Sequence, residues 1–524
     1  MRARRTPIRL LAAAAATSAA VALTAAPSLG PASASGGDGR ASATGDRLLR
    51  QYAADTWRSF EAMTVKRTGL PDDNIGGDLD PASRGGFTSP TNIGAYLWST
   101  VTARDVGLIT AREARKRMST TLETVARLET HEPSGMFYNW YSPVTGEKLT
   151  AFPDSGNPIK PFLSSVDNGW LATGLLLTAR AEPALADEAN AIRSKMDFSC
   201  YYNPEVNQIR GGFWEDNPND GAAVAGDYCG MPKDVWYTGH HYGAFNTEPR
   251  MASYLGIAEG QIPQKHYFGT YRTFPNDAGC DWAWTETKPS GEWQTYLGQR
   301  VFEGTQPYRG MDVVPTWGGS MFEALMVPLF VPEEKWGPKS WGMNHPLYVR
   351  GQIEHGLEDA GYGYWGFSPS NNPAGGYREF GVDALGLDGP GYTSDLERTD
   401  WEQPYEGCRE GEPAPTKYGD GVVTPHASFL AMRYAPHAAL ANLQRIRDDF
   451  DAYGPGGFYD AVAVRSGRVS QRYLSLDQGM IMAALGNALT GDNLRGYVSG
   501  GALEKRVRPL MAMEEFGSGG GTRP

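Results

Sequence analysis

The sequence predicts an all-α fold, a six-hairpin double α-barrel (an α/α toroid) with long loops and short β-hairpins gathered at one face. Three observations predict it. About a dozen segments carry a 3.6-residue apolar period. Several neighbouring segments are joined by only a few residues, which forces antiparallel pairs, while the junctions between pairs are long. A subset of the helices carries almost no charge on any face, as expected of an inner ring packed on all sides.

In chain order the expected helices are Asp46–Met63, Thr91–Val106, Thr110–Thr130, Ser165–Ala181, Pro183–Met196, Asn246–Glu259, Gly319–Phe330, His345–Ala360, Pro425–Tyr434, Pro436–Ala452, Ser475–Leu489 and Asp492–Leu510. Their starts carry a Thr110 cap and prolines suited to the first helical turn at Pro183, Pro425 and Pro436. The uncharged runs from Trp170 to Leu177 and from Met480 to Leu485 read as inner helices, and the charged stretches Ala111–Glu129 and Asn442–Asp451 as outer ones. Twelve helices make six hairpins of one domain, residues 46–512, followed by a flexible tail, 513–524.

Residues 1–34 have the order of a secretory signal: Arg2, Arg4, Arg5 and Arg9, an Ala/Leu-rich run, then Ala32-Ser33-Ala34. The Gly/Ser/Ala stretch 35–45 reads as a flexible leader, and the mature protein is expected to be extracellular, free of the membrane and monomeric. Losing the four arginines would take the net charge from −12 to −16, a field that makes nucleic acid and anionic membranes poor partners. The four cysteines, Cys200, Cys229, Cys280 and Cys408, are spaced by 29, 51 and 128 residues, which favours one or two disulfides over zinc; three full pairings are possible. No phosphate loop, dinucleotide fingerprint or metal motif is present, so no cofactor or metal is expected. A serine nucleophile lacks its Gly-x-Ser-x-Gly elbow. His240, His241, His266, His345 and His426 read as structural or sugar-binding.

Four loops repeat a theme of glycine and aromatic residues: Gly135–Tyr141, Gly211–Glu215, Gly361–Gly366 and Gly456–Asp460. Aromatic faces beside amides and carboxylates suit the C–H faces and hydroxyls of a sugar, so a polysaccharide or oligosaccharide is the expected partner. Cleaving a glycosidic bond needs two carboxyl groups, one to protonate the leaving oxygen and one to activate water or attack carbon. Three acids stand in the first turn of expected helices, where they project toward the loop face: Asp167, Glu248 and Asp477. A first-turn acid that merely complements the helix dipole is an equal reading of each from position alone.

The segments Thr88–Gly94, Phe137–Tyr141, Ser165–Gly169, Asn246–Arg250, Trp317–Glu323, Trp365–Ser368 and Asp477–Met480, in this order from about Leu48 to Val498, resemble the glycoamylase-like domain family, which includes endo-β-1,2-glucanases and is similar to a domain of cyclic β-1,2-glucan synthases. The resemblance implies a six-hairpin α-barrel and, from the glucanases, an inverting glycoside hydrolase of a glucan, β-1,2-linked in those relatives; the synthase domain is similar in fold but retaining. By motif, Glu248 resembles the general acid and Asp477 the base, with Asp167 in the cleft for ring binding or water orientation. The same motifs and aromatic loops offer Asn139, Trp140, Tyr141, Asn168, Tyr242 and Arg250 as substrate-binding residues, together with Trp317, Glu323, Trp365, Ser368, Tyr459 and Gln478. Pro249 after the proposed acid reads as a first-turn helix residue. The segments Pro275–Tyr308 and Leu387–Pro415 look inserted, so lyase, transglycosylase, other polysaccharide hydrolase and binding-only readings stay open.

Overall fold

The computed structural model describes residues 38–153 (side chains from 45), 155–275, 285, 288–387 and 418–520. Fourteen α-helices occur among them: α1 (Asp38–Met63), α2 (Pro90–Asp105), α3 (Ala111–Val125), α4 (Ser165–Ala181), α5 (Ala186–Arg193), α6 (Arg250–Glu259), α7 (Met321–Leu325), α8 (Glu333–Trp336), α9 (Trp341–Glu354), α10 (Pro425–Ala431), α11 (Pro436–Asp449), α12 (Ser475–Thr490), α13 (Asn493–Ser499) and α14 (Ala502–Met513). Helix starts follow the caps. Ser89, Thr110, Ser164 and Ser320 each accept the backbone N–H three residues on, satisfying a donor that the helix leaves free.

Burial separates two kinds of helix. α2, α4 and α12 are buried on nearly every face, whereas α3 buries a single stripe through Ala114, Met118, Leu122 and Val125. α2 packs between α12 and α4, α4 also meets α6, and α10 lies against both α7 and α12. Outside them, α3 covers α2, α5 covers α4, α14 covers α6, α9 covers α7 and α11 covers α10.

The inner contacts are close because glycines face them. A Cβ on Gly94 of α2 would sit 2.5 Å from the Trp170 carbonyl oxygen of α4, and one on Gly174 would sit 2.7 Å from Gly94 Cα. Gly479 of α12 is similarly placed against Ala95 at 2.7 Å. Trp98, Trp170 and Phe330 fill the adjoining space with mutual ring distances of 4.9–6.1 Å, and the Trp98 indole donates to the Gly479 carbonyl at 2.9 Å.

Several expectations are corrected. The molecule is mainly helical but not all-α. A four-stranded sheet joins Val224–Gly226, Val235–Tyr237, Gly212–Trp214 and Leu163–Ser164, and a second joins a long hairpin, Ser290–Tyr296 with Gln299–Tyr308, to Met311–Val313 and Gly519–Gly520. Strands of two or three residues leave no period to read, and the long hairpin falls in the apparent insertion Pro275–Tyr308. The expected helix Pro183–Met196 is a 3-10 turn, Pro183–Leu185, followed by α5. Asp492–Leu510 is divided between α13 and α14 by Gly500 and Gly501, the latter at φ 70°, where a side chain would be strained.

The helix α1 begins at Asp38, inside the stretch expected as a flexible leader. Residues 513–520, expected as a flexible tail, are tied down. Phe516 packs on Trp341 at 5.1 Å, Gly519–Gly520 pairs with Met311–Asp312, and the buried Glu514 accepts from Arg272 at 2.6 Å and Tyr267 at 2.9 Å. A buried guanidinium requires a counter-charge, and the chain end supplies it. Cys200 and Cys229 form a disulfide; Cys280, Cys408 and the expected signal lie outside the described residues. No helix among the described residues is long and apolar enough to cross a membrane.

Gly94→Ala is expected to lower stability by about 1–3 kcal/mol, the cost of forcing α2 from α4. Gly496→Ala, whose added Cβ meets nothing within 4 Å, is expected to be neutral or slightly stabilising. Urea unfolding of both variants checks the pair.

Candidate active site

The N-terminal ends of α2, α4 and α12 and the turn before α6 open on one cleft of about 880 Å³. Asp167, Glu248 and Asp477 all line it, together with Asp73 from the loop before α2. One wall is aromatic: Phe87 meets Trp140 at 5.2 Å and Phe152 at 5.6 Å, both edge-on. Arg84, Arg472 and Tyr377 also line the cleft, Tyr377 from a hairpin that pairs Ser370–Asn371 with Tyr377–Arg378.

Glu248 stands on a turn built by its neighbours. The buried Glu323 of α7 accepts the Glu248 backbone N–H at 2.8 Å and the Thr247 hydroxyl. Beneath it, Arg250 donates to the carbonyls of Thr247, Glu323 and Ala324 and is paired with Glu333 at 2.8 Å. Burial alone would raise the Glu333 carboxyl, but Arg250 and His345 hold it down at about 2. Pro249 fits the helix start, its carbonyl accepting from Ser253 N–H at 3.3 Å. The carboxyl of Glu248 accepts the Trp170 indole N–H at 2.6 Å. Burial, and then the Glu323 charge, push it well above the ordinary carboxylate range against that one hydrogen bond. Such a group keeps its proton more tightly than a free carboxyl, as a general acid must.

Asp167 accepts from the Thr91 hydroxyl at 2.7 Å, and burial raises it. Asp73 accepts side-chain amides from Asn74 and Asn92, each at 2.9 Å, and is also raised by burial. Asp477 is 3% exposed. One of its oxygens lies 3.6 Å from His426 Nδ1, and burial followed by the nearby Asp460 raises its carboxyl well above normal. His426 is no cation there: burial lowers it to about 3, and its Nδ1 is bonded to the Thr424 hydroxyl at 2.6 Å.

The structure divides the other residues singled out in the sequence. Trp140 lines the cleft, and Tyr242 lies within the electrostatic reach of Glu248, Asp167 and Glu323. Asn139 has a buried side-chain oxygen with no partner. Glu323 and Arg250 form the layer behind Glu248. Tyr141 donates to the Glu129 carbonyl at 2.6 Å, and Asn168 bonds both backbone groups of Phe137. Ser368 accepts from the Phe322 N–H at 3.1 Å, Gln478 donates to the Phe458 carbonyl at 3.2 Å, and the backbone of Trp365 is bracketed by Asn442. Trp317 lies in a short parallel pairing with Gly386–Leu387, and Tyr459 donates to the Gly77 carbonyl. The bonds of Tyr141, Asn168, Ser368, Gln478 and Tyr459 run to the backbone of neighbouring segments. Asp73, Asp460, Tyr377, Phe87 and Phe152 were not singled out as site residues, though Asp460 closes one of the aromatic loops. Among the described residues, no three His, Cys, Asp or Glu side chains are grouped to hold a metal ion.

Fold and site together define a class, a helical scaffold that presents several carboxyl groups from helix starts to one aromatic-walled cleft. Residues 283–493 match the model of the Glycoamylase family, described as "Putative glucoamylase", and residues 51–205 match one described as a protein of unknown function, DUF3131. The chain is 24% identical to the cyclic β-(1,2)-glucan synthase NdvB of Rhizobium meliloti (strain 1021), over 86% of this chain and 18% of that protein. It thus spans less than a fifth of the length of that curated relative. The endo-β-1,2-glucanase of Chitinophaga pinensis, solved with sophorotriose and glucose, superimposes with a TM-score of 0.59 at 18% identity, over 88% of this chain and 98% of its own. That of Talaromyces funiculosus, solved with sophorose, gives 0.58 at 13% identity, over 88% and 86%. By sequence and by fold the chain resembles the glycoamylase-like family, as its motifs indicate.

Asp72, behind Asp73, supplies a test of the buried charge. Burial raises its carboxyl to about 6, against partial relief from the Gly86 N–H and Arg84. The folded state therefore binds this proton more tightly than the unfolded chain, so its contribution to stability falls as pH rises from about 4 to about 6. Asp72→Asn keeps an acceptor for Gly86 and removes the titration. The variant is expected to lose about 2–3 kcal/mol less than the parent between those pH values, as read from urea unfolding at each pH.

Proposed function

We propose that this chain is a secreted, monomeric glycoside hydrolase that cleaves a β-1,2-glucan with inversion, on a six-hairpin α/α barrel. The neighbour series α12–α2–α4–α6 and α7–α10–α12, with five of these six helices covered by an outer one, supports the barrel. The observation that carries the function is the convergence of Glu248, Asp167 and Asp477 on one aromatic-walled cleft. The relatives whose structures hold sophorose and sophorotriose support the choice of linkage.

In this reading, Glu248, kept protonated by burial and by Glu323, gives its proton to the glycosidic oxygen as the bond to the anomeric carbon breaks. A water on the opposite face attacks that carbon and gives its proton to the Asp477 side. Asp477 lines the same cleft as Glu248 and Asp167, where it can take a proton from that water. Asp167, fixed by Thr91, orients the ring or the water, and the wall of Phe87, Trp140 and Phe152 takes the sugar's C–H face.

The test is a reducing-sugar assay on a panel of polysaccharides that includes linear β-1,2-glucan. Glu248→Gln is expected to cut turnover by about 10²–10⁴-fold with an unchanged circular dichroism spectrum. Near-normal activity in that variant removes Glu248 from its role. Unsaturated or lengthened products would replace hydrolysis with elimination or transfer.

A further inference from the structure

Asp460 and Asp477 are 2% and 3% exposed and belong to segments that run side by side. Gln478, beside Asp477 in the first turn of α12, donates to the Phe458 carbonyl at 3.2 Å, and the Asp460 N–H donates to the Arg472 carbonyl at 3.1 Å on the strand leading into that helix. Each carboxyl group lies within the electrostatic reach of the other. Each also has one buried oxygen, Asp460 Oδ1 and Asp477 Oδ2, with no hydrogen-bond partner. Asp460 is held from its far side by the Asn371 N–H at 2.6 Å.

The groups facing the pair do not neutralise it. His426 is uncharged, Asp73 adds a negative charge, and Tyr377 is a neutral phenol. The Arg472 cation acts on Asp460, but its guanidinium is already engaged by Asn74 and the Ser83 carbonyl. Two bare carboxylates cannot sit together there, whereas one proton between them satisfies both unpartnered oxygens. Burial, with the neighbouring charge of Asp73, accords with a carboxyl at Asp460 raised to about 6.

We propose that Asp460 is a positioning residue that shares one proton with Asp477, so that the two carboxyl groups work as a single acid–base unit. Its catalytic consequence rests on Asp477 being the base in the reaction above; the shared proton itself does not. As water attacks, its oxygen bonds the anomeric carbon, the glycosidic C–O bond breaks, and the leaving oxygen takes the Glu248 proton. The proton from water enters the pair, which passes from one proton and a negative charge to two protons and neutrality. One proton then returns to solvent and Glu248 is reprotonated.

The test has two arms. Asp460→Asn keeps an acceptor for Asn371 but cannot take up the proton. The acid limb of kcat/KM, which reports entry of the second proton into the pair, is expected to move up by about one pH unit or more once the shared proton no longer stabilises the singly charged pair, with kcat reduced about tenfold or more and KM within about twofold. An unmoved limb overturns the proposal, since a merely structural role would lower activity at all pH values alike. The second arm needs no substrate: urea unfolding from pH 5 to 8 of the parent, Asp460→Asn, Asp477→Asn and the double variant. Losing a shared proton destabilises the fold as pH rises, so either single variant is expected to reduce that decline, with the two effects not additive in the double variant. Single effects that simply add overturn the shared proton. Should no glycan be cleaved, the reaction reading fails and the unfolding series alone decides whether the proton is shared.

Discussion

The close contact of α2 with α4 and α12 is the constraint on which the site depends. Gly94, Gly174 and Gly479 let the helix backbones approach to distances that a methyl group would forbid, and Trp98, Trp170 and Phe330 fill the space beside them. Each of these helices begins at the cleft. Asp167 and Asp477 occupy the first turns of α4 and α12, and Thr91 and Asn92 those of α2. The interaxial spacing therefore becomes the spacing of the acids, and Trp170 serves both ends by packing in the core while donating to Glu248.

Around that frame the electrostatics follow from burial. The cleft gathers Asp73, Asp167, Glu248 and Asp477, with Glu323 and Asp460 just behind, and the cations that could neutralise them are committed elsewhere. Arg250 is spent on Glu333 and on three carbonyls, and Arg472 on Asn74 and Ser83. Hydrogen bonds from Trp170, Thr91, Asn74 and Asn92 hold the acids in place and only partly offset their desolvation. The result is a set of carboxyl groups that keep protons more tightly than free ones, which is the condition for acid chemistry near neutrality.

The candidate site was partly legible in the chain. An expected first-turn position drew attention to Asp167, Glu248 and Asp477, and all three line one cleft, although α6 begins only at Arg250 and leaves Glu248 on the turn before it. Asn168, Ser368, Gln478 and Arg250 drew attention through the same motifs, yet their side chains bond the backbone of neighbouring segments. A motif of this kind retains residues that build a corner as faithfully as those that face the cleft, and spacing does not separate the two. Asp73, Phe87, Phe152 and Tyr377 lie on loops and a short hairpin, where no period points a side chain to either side. Asp460 joins Asp477 only because strand Arg472–Leu474 returns beside it.

What the sequence by itself determined was the run of helices, which of them are buried all round, and which acids stand at their starts. Apolar spacing, capping residues and glycine are local signals, and a helix obeys them wherever it lies. Tertiary structure alone decided the strands of two or three residues, the docking of the chain end through Glu514 on Arg272, and the pairing of Asp460 with Asp477. Those outcomes depend on which distant groups are left buried without a partner, a condition that exists only once the helices have packed.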